Sequence, residues 1–383
     1  MARRNKLVLL IATLCTAIAS TQIAVAQTDA LSGGSSVAFV YVSSGITTDQ
    51  RAINAFSAAS NGKLTPVSGS PFSADVLNLA VNAKYLFGTN QTDIFSFSIA
   101  SDGSLKPASS VNAKQFNDGG CGGPFALFLD RTGASLYDQD YDCSNLAYQF
   151  FSIDESTGAM NYLGVGPPSV EFETPLSFIG NDMFGYGAGC YHLGATIYGF
   201  KRNSDQTLTQ LSINPPTPTP KQGDFFCTYL AAADKTTHVA ISVQALNAQS
   251  WQPDGAPQLA TYTADISGNL TTKCTYSNMP RTAVQNVNDL KMSPSGNLLA
   301  VAGTTGLQVF HFHGSNPITK YTGLLTKNQV DQVAWDNRHH LYAISRATGK
   351  LFVFTVTPTS VSKVPGSPYT ITNLDNIAVL PTM

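Results

Sequence analysis

The sequence predicts an all-β fold, a seven-bladed β-propeller of four-stranded antiparallel blades, closed by pairing of the C-terminal strand with the first blade. Three observations carry this. The stretch from Asp289 to Gly314, DLKMSPSGNLLAVAGTTGLQVFHFHG, holds three apolar alternating runs separated by Ser-Pro-Ser-Gly and Thr-Thr-Gly turns. Period-2 alternation between turn signals reads as an antiparallel meander. An apolar strand ending in an aromatic recurs as INAF (53–56), IFSF (94–97), YQFF (148–151), IYGF (197–200), LATY (259–262), LQVF (307–310) and LFVF (351–354). The spacing is roughly 40–60 residues, that of propeller blades. Finally, the first unit lacks a preceding strand while the chain finishes with a spare one, Asn376 to Leu380. A terminal strand filling that vacancy removes the open edge.

Taken in order, the chain opens on Arg3, Arg4 and Lys6, an apolar run from Leu7 to Ile18, and small residues at Ala24-Val25-Ala26. This is a secretory signal pattern over residues 1–26, too short to span a bilayer comfortably. Cys15 follows Leu14 rather than a small residue, which argues against lipidation. Residues 27–36 are polar and Gly/Ser-rich and read as a flexible leader. The propeller is expected over 37–382, in a secreted or periplasmic, monomeric protein without a membrane span. Losing the three leader cations takes the formal charge from −2 to −5. A mildly acidic mature protein is a poor candidate for nucleic acid or anionic membranes, so no nucleic-acid partner is expected. Charged residues make up 12% of the chain, about half the usual level, and glutamate occurs only at 155, 171 and 173. Such a composition suits a turn-rich β protein.

Each blade should run inner strand, two further strands and a weak outer strand, as at Gly62-Lys63-Leu64-Thr65 and Gly103-Ser104-Leu105-Lys106. GSPF (69–72) leaves the first unit and GSPY (366–369) the last. The long irregular segments 112–124, 139–145, 187–196, 213–225 and 246–256 all fall at the end where inner strands begin. Loop length concentrated at one end of a rigid scaffold marks the binding face. PPTPTP (215–220) reads as a stiff extended spacer between blades.

FVYV (39–42), the INAF…GKLTPVSGSPF stretch (53–72) and SPSGNLLAVA with LQVF (293–310) resemble the blade repeats of the lactonase family, the 6-phosphogluconolactonase-like seven-bladed propellers. The resemblance covers the whole mature chain. It implies action on sugar-acid lactones or muconates and a histidine just after the Gly-Pro that opens the third blade. Here Phe125 follows Gly123-Pro124, and only Lys291 is basic among the expected inner strands. A phosphorylated lactone needs cations and a proton-transfer group. The first expectation is therefore binding of a small molecule, glycan or protein without turnover. The alternative is a lactone hydrolase or isomerase with a rearranged site.

For catalysis the candidates are Asp140, His192 and Asp289. For binding they are Asn78, Phe125, Tyr141, Tyr191, Phe225, Trp251, Gln332 and Asn376. The aromatic members sit in or beside the long loops, and the amides in or beside inner strands, where water or a ligand would meet them. Asp75 belongs with the latter group. Asp138, Asp140 and Asp142 alternate on one strand face, so calcium is possible, with a hydrogen-bonded polar rim as the other reading. His311 and His313 share a face but lack a third zinc ligand, and His339-His340 is expected to be solvated. In an exported chain the blade map pairs Cys121 with Cys143 and Cys190 with Cys227, leaving Cys274 buried and free.

Overall fold

A computed structural model describes residues 36–116, 123–142, 145–166, 169, 174–191 and 194–382, apart from the side chains of residues 141, 142, 145 and 191. These residues form seven antiparallel sheets in a propeller. Blades 2 to 7 each start on their inner strand: Asn78–Val81, Pro124–Leu129, Ser177–Phe178, Asp224–Ala233, Val287–Met292 and Gln332–Trp335. Blade 1 takes its inner strand, Leu374–Pro381, from the C-terminus and continues through Ala38–Ser44, Ala52–Ala58 and Leu64–Pro66. Val40 pairs with Val379 and Ala38 with Pro381 in that closing ladder. Each of the seven aromatic-ended motifs lies on the third strand of its blade. Among the described residues the helical content is two short 3-10 turns, Thr48–Gln50 and Ala113–Phe116, and no helix is long and apolar enough to cross a membrane.

Alternation places one set of side chains on each face of a blade, and both faces are covered by neighbouring blades. The core is therefore a series of inter-blade clusters. Val40, Val42 and Leu374 of blade 1 meet Tyr342, Ile344 and Val353 of blade 7, and Phe39 and Tyr41 meet Leu86 and Leu105 of blade 2. Burying tyrosine so deeply requires a partner for its hydroxyl. Tyr41 donates to Gly103 O (3.0 Å), Tyr137 to Gln206 O (3.0 Å) and Tyr186 to Gly268 O (2.8 Å). Each bond runs from the second strand of one blade to the outer turn of the next. Gly103 must be glycine there: φ is +85°, and a Cβ would lie 2.4 Å from the Phe39 ring.

Candidate functional site

The inner strands surround an axial funnel of about 840 Å³ to which all seven blades contribute. Among the described residues no strand pairs with the channel-facing edge of these strands, so their N–H and C=O groups need other partners. Side chains of adjacent blades supply them. Asp289 accepts from Val333 N (2.8 Å), Gln332 from Ile377 N (3.2 Å) and Asn376 from Leu79 N (3.1 Å). The Asn376 amide donates to Asn78 Oδ1 (3.1 Å), Asn78 donates to the Phe125 carbonyl, and Phe125 N donates to Asp138 (3.1 Å). A relay thus runs from blade 6 through blades 7, 1 and 2 into blade 3. Asn78, Gln332, Asn376 and Asp289 line the funnel as the sequence suggested, yet these atoms hold the next blade instead of meeting only water or ligand. Asp75 is paired with Arg51 (2.6 Å) and receives Asn90 Nδ2 (2.8 Å).

Each cation of the funnel wall has a carboxylate beside it. Lys291 Nζ lies 3.6 Å from Asp289, and Arg346 Nε lies 2.9 Å from Asp375 Oδ1 while its backbone N–H donates to Asp331 (2.7 Å). Arg346 escaped the sequence reading because it follows the second strand of blade 7 rather than lying on an inner strand. Against this polar wall Phe125 stands 60% exposed. Its position is set by Gly123, where a Cβ would lie 2.2 Å from the Gln91 carbonyl. Trp335 is buried behind the wall, donating from Nε1 to Lys291 O (3.2 Å).

Asp138 and Asp140 do share a strand face, but they are buried inside blade 3 rather than on an open rim. Burial, and then the neighbouring Asp140, push the Asp138 carboxyl well above the ordinary range. Gln149 donates to Asp140 (2.9 Å). The Asp142 side chain lies outside the described residues, among which no group of three His, Cys, Asp or Glu could hold a metal. His311 packs on Tyr321 and His313 bonds Thr319. His340 corrects the expectation of solvation. It is buried, its Nδ1 is 2.6 Å from Asp336, and Asp336 also accepts from Tyr342 Oη (2.9 Å). Asp234 and His238 repeat the i, i+4 pair in blade 5. Both brace the turn between the inner and second strands.

A disulfide joins Cys190 to Cys227 with Cα atoms 4.9 Å apart, tying blade 4 to the inner strand of blade 5. Cys274 is free and buried. Cys121, Cys143 and His192, with the side chains of Tyr141 and Tyr191, lie outside the described residues. Beside the disulfide, Phe225 meets Trp251 edge to face at 5.7 Å. Phe226, one residue on, is buried against Tyr276.

No protein-family model matches the chain, and no curated protein sequence matches it closely. Solved structures do share the fold. The periplasmic gluconolactonase PpgL of Pseudomonas aeruginosa has a TM-score of 0.61 at 11% identity, covering 90% of this chain and 99% of that one. A protein of Bacteroides fragilis provisionally assigned as a 6-phosphogluconolactonase gives 0.56 at 14%, over 91% and 99%. A hypothetical selenium-binding protein of Sulfolobus tokodaii gives 0.60 at 8%, over 91% and 94%. Identity at this level establishes a shared lactonase-like propeller architecture and not a shared chemistry.

Proposed function

We propose that this is an exported lactonase-like propeller that captures a neutral, polyhydroxylated small molecule in its axial funnel without turning it over. Cleavage after Ala26, a leader over 27–36 and a ring over 37–382 belong to the same reading, which the Cys190–Cys227 bridge supports. The carrying observation is the funnel wall itself. Lys291 and Arg346 each sit beside a carboxylate, and Asp289, Asp331 and Asp375 outnumber them. Such a wall gives an anionic phosphate no net attraction. It offers a hydroxyl-rich ligand an exposed ring, Phe125, in a funnel also lined by amides such as Gln91 and Asn288. Asp289 is held by two backbone N–H groups, those of Leu290 and Val333, and Asp140 lies buried. Neither is disposed as a general base.

Calorimetric titration with neutral monosaccharides, sugar acids and sugar lactones tests this. The expected result is binding of a neutral sugar that Phe125→Ala weakens, with glucono-lactone and acyl-lactones hydrolysed at the uncatalysed rate, with or without calcium. Enzymatic lactone turnover that Asp289→Asn abolishes would overturn the proposal. Sequencing the N-terminus of the exported protein tests the cleavage site.

A further inference from the structure

At the loop-rich corner of blade 5, a half-exposed indole is held in place by a rigid turn. Trp251 is 50% exposed and has φ +59°. A bulky L-residue rarely occupies the left-handed region, where Gly or Asn serves a plain turn. The turn is fixed by many bonds. Asn247 Oδ1 accepts from Gln249 N (3.1 Å) and Ser250 N (3.0 Å), Trp251 N donates to Asn247 O (2.8 Å), and Asn247 N donates to Gln252 O (3.0 Å). Asp254 N returns to Ala245 O (2.8 Å). Strained backbone that the surroundings over-determine marks ligand clamps.

Phe225 packs against the indole at a steep angle, ring centroids 5.7 Å apart, and is anchored two residues from the Cys190–Cys227 bridge. On the same turn Asp254 bonds Lys221, whose Nζ is also 3.9 Å from Asp224. Lys221 holds the Asp254 carboxyl below its usual range, so the acid remains an ionised acceptor three residues along the turn from Trp251. Neither Trp251 nor Phe225 lines the axial funnel.

We propose that this corner is a second binding site, distinct from the funnel, for a neutral oligosaccharide that stacks a pyranose ring on Trp251. The apolar C–H face of the sugar covers the exposed indole. Its equatorial hydroxyls reach Asp254, Lys221 and Gln252 at the rim. A rigid aromatic with few rotatable bonds binds at small entropic cost.

The two tryptophans of the chain separate the sites, because Trp251 is open to solvent and Trp335 is buried behind the funnel wall. The full chain is titrated with cellohexaose and with chitohexaose while iodide quenching of tryptophan emission is recorded. One hexasaccharide at least should protect the exposed indole in a saturable manner. Trp251→Asn, which keeps a residue tolerant of left-handed backbone and is followed by calorimetric titration because it removes the exposed fluorophore, should weaken binding roughly thirtyfold, the loss common for a central tryptophan. Phe225→Ala should weaken it less, and Phe125→Ala not at all. Unchanged quenching with both sugars at millimolar concentration overturns the proposal. So does a Trp251→Asn protein that binds as well as the original, or a Phe125→Ala protein that loses the protection. The funnel reading stands or falls separately, on small-sugar titration and Phe125.

Discussion

Asn376 is the point where the relay around the funnel crosses the closure of the ring, and Asn376→Leu is the most direct test of that arrangement. Leucine keeps the branched skeleton of asparagine, with bulkier methyl ends, but has no acceptor for the buried Leu79 N–H and no donor for Asn78. An orphaned buried donor costs about 1–3 kcal/mol, and a lost side-chain bond about 0.5–1.5 kcal/mol. The added apolar surface offsets part of this, leaving a net loss of about 2–3 kcal/mol. For a ring of this length the unfolding entropy is about 0.7 kcal/mol/K, so the melting temperature should fall by about 3–4 °C. Guanidinium unfolding followed by near-ultraviolet circular dichroism, with calorimetry alongside, measures both quantities. A double-mutant cycle with Asn78→Ala should show coupling of about 0.5–1.5 kcal/mol. A loss below about 0.5 kcal/mol, or a cycle with no coupling, would refute the claim that side chains satisfy the inner-strand edges.

Other consequences follow from the same contacts. Replacing both Cys190 and Cys227 by serine should cost about 2–4 kcal/mol, since the bridge closes a loop with a separation of 37 residues; denaturation of the double variant checks this. Tyr186→Phe strands the Gly268 carbonyl and should lower stability by about 1–3 kcal/mol, with Tyr41→Phe at Gly103 behaving alike. Asp182 has its carboxyl pushed up to about 6 by burial, and Asp130 adds to the shift. A raised folded pKa gives stability that is present below the unfolded value near 4 and lost as pH rises toward 6. Asp182→Asn, which suits the left-handed backbone there, should flatten that decline in melting curves taken from pH 4 to 8.

The architecture was readable because each blade repeats a short signal. An apolar strand ending in an aromatic marks the third strand whether or not its neighbours are strong, as IFSF and LFVF show. The closing strand was readable from a vacancy at one end and a surplus at the other. What alternation cannot tell is which partners cover a face. It placed Asp138 and Asp140 together correctly, but their burial depends on neighbouring structure far along the chain. The bond from Leu79 to Asn376 spans 297 residues, so no local pattern announces that Asn376 holds a strand. His340 was misjudged for a different reason: Asp336, four residues earlier, draws it inward. The same spacing at Asp234 and His238 was a signal that could have revealed a bracing pair. Phe125 could be singled out from its place after Gly123-Pro124, but the exposure of its ring in the funnel is visible only in the fold.

In six of the seven blades, every strand lies next to its sequence neighbour and can form by short-range zipping. The first blade cannot, for Ala38 must find Pro381 across nearly the entire polymer. Loop-closure entropy makes such an encounter late and slow. Until it happens, an open horseshoe presents Ala38–Ser44 as a sticky, unclosed seam. Self-association during refolding should therefore begin at that seam, and a synthetic peptide copying Leu374–Pro381, added early, should compete for it.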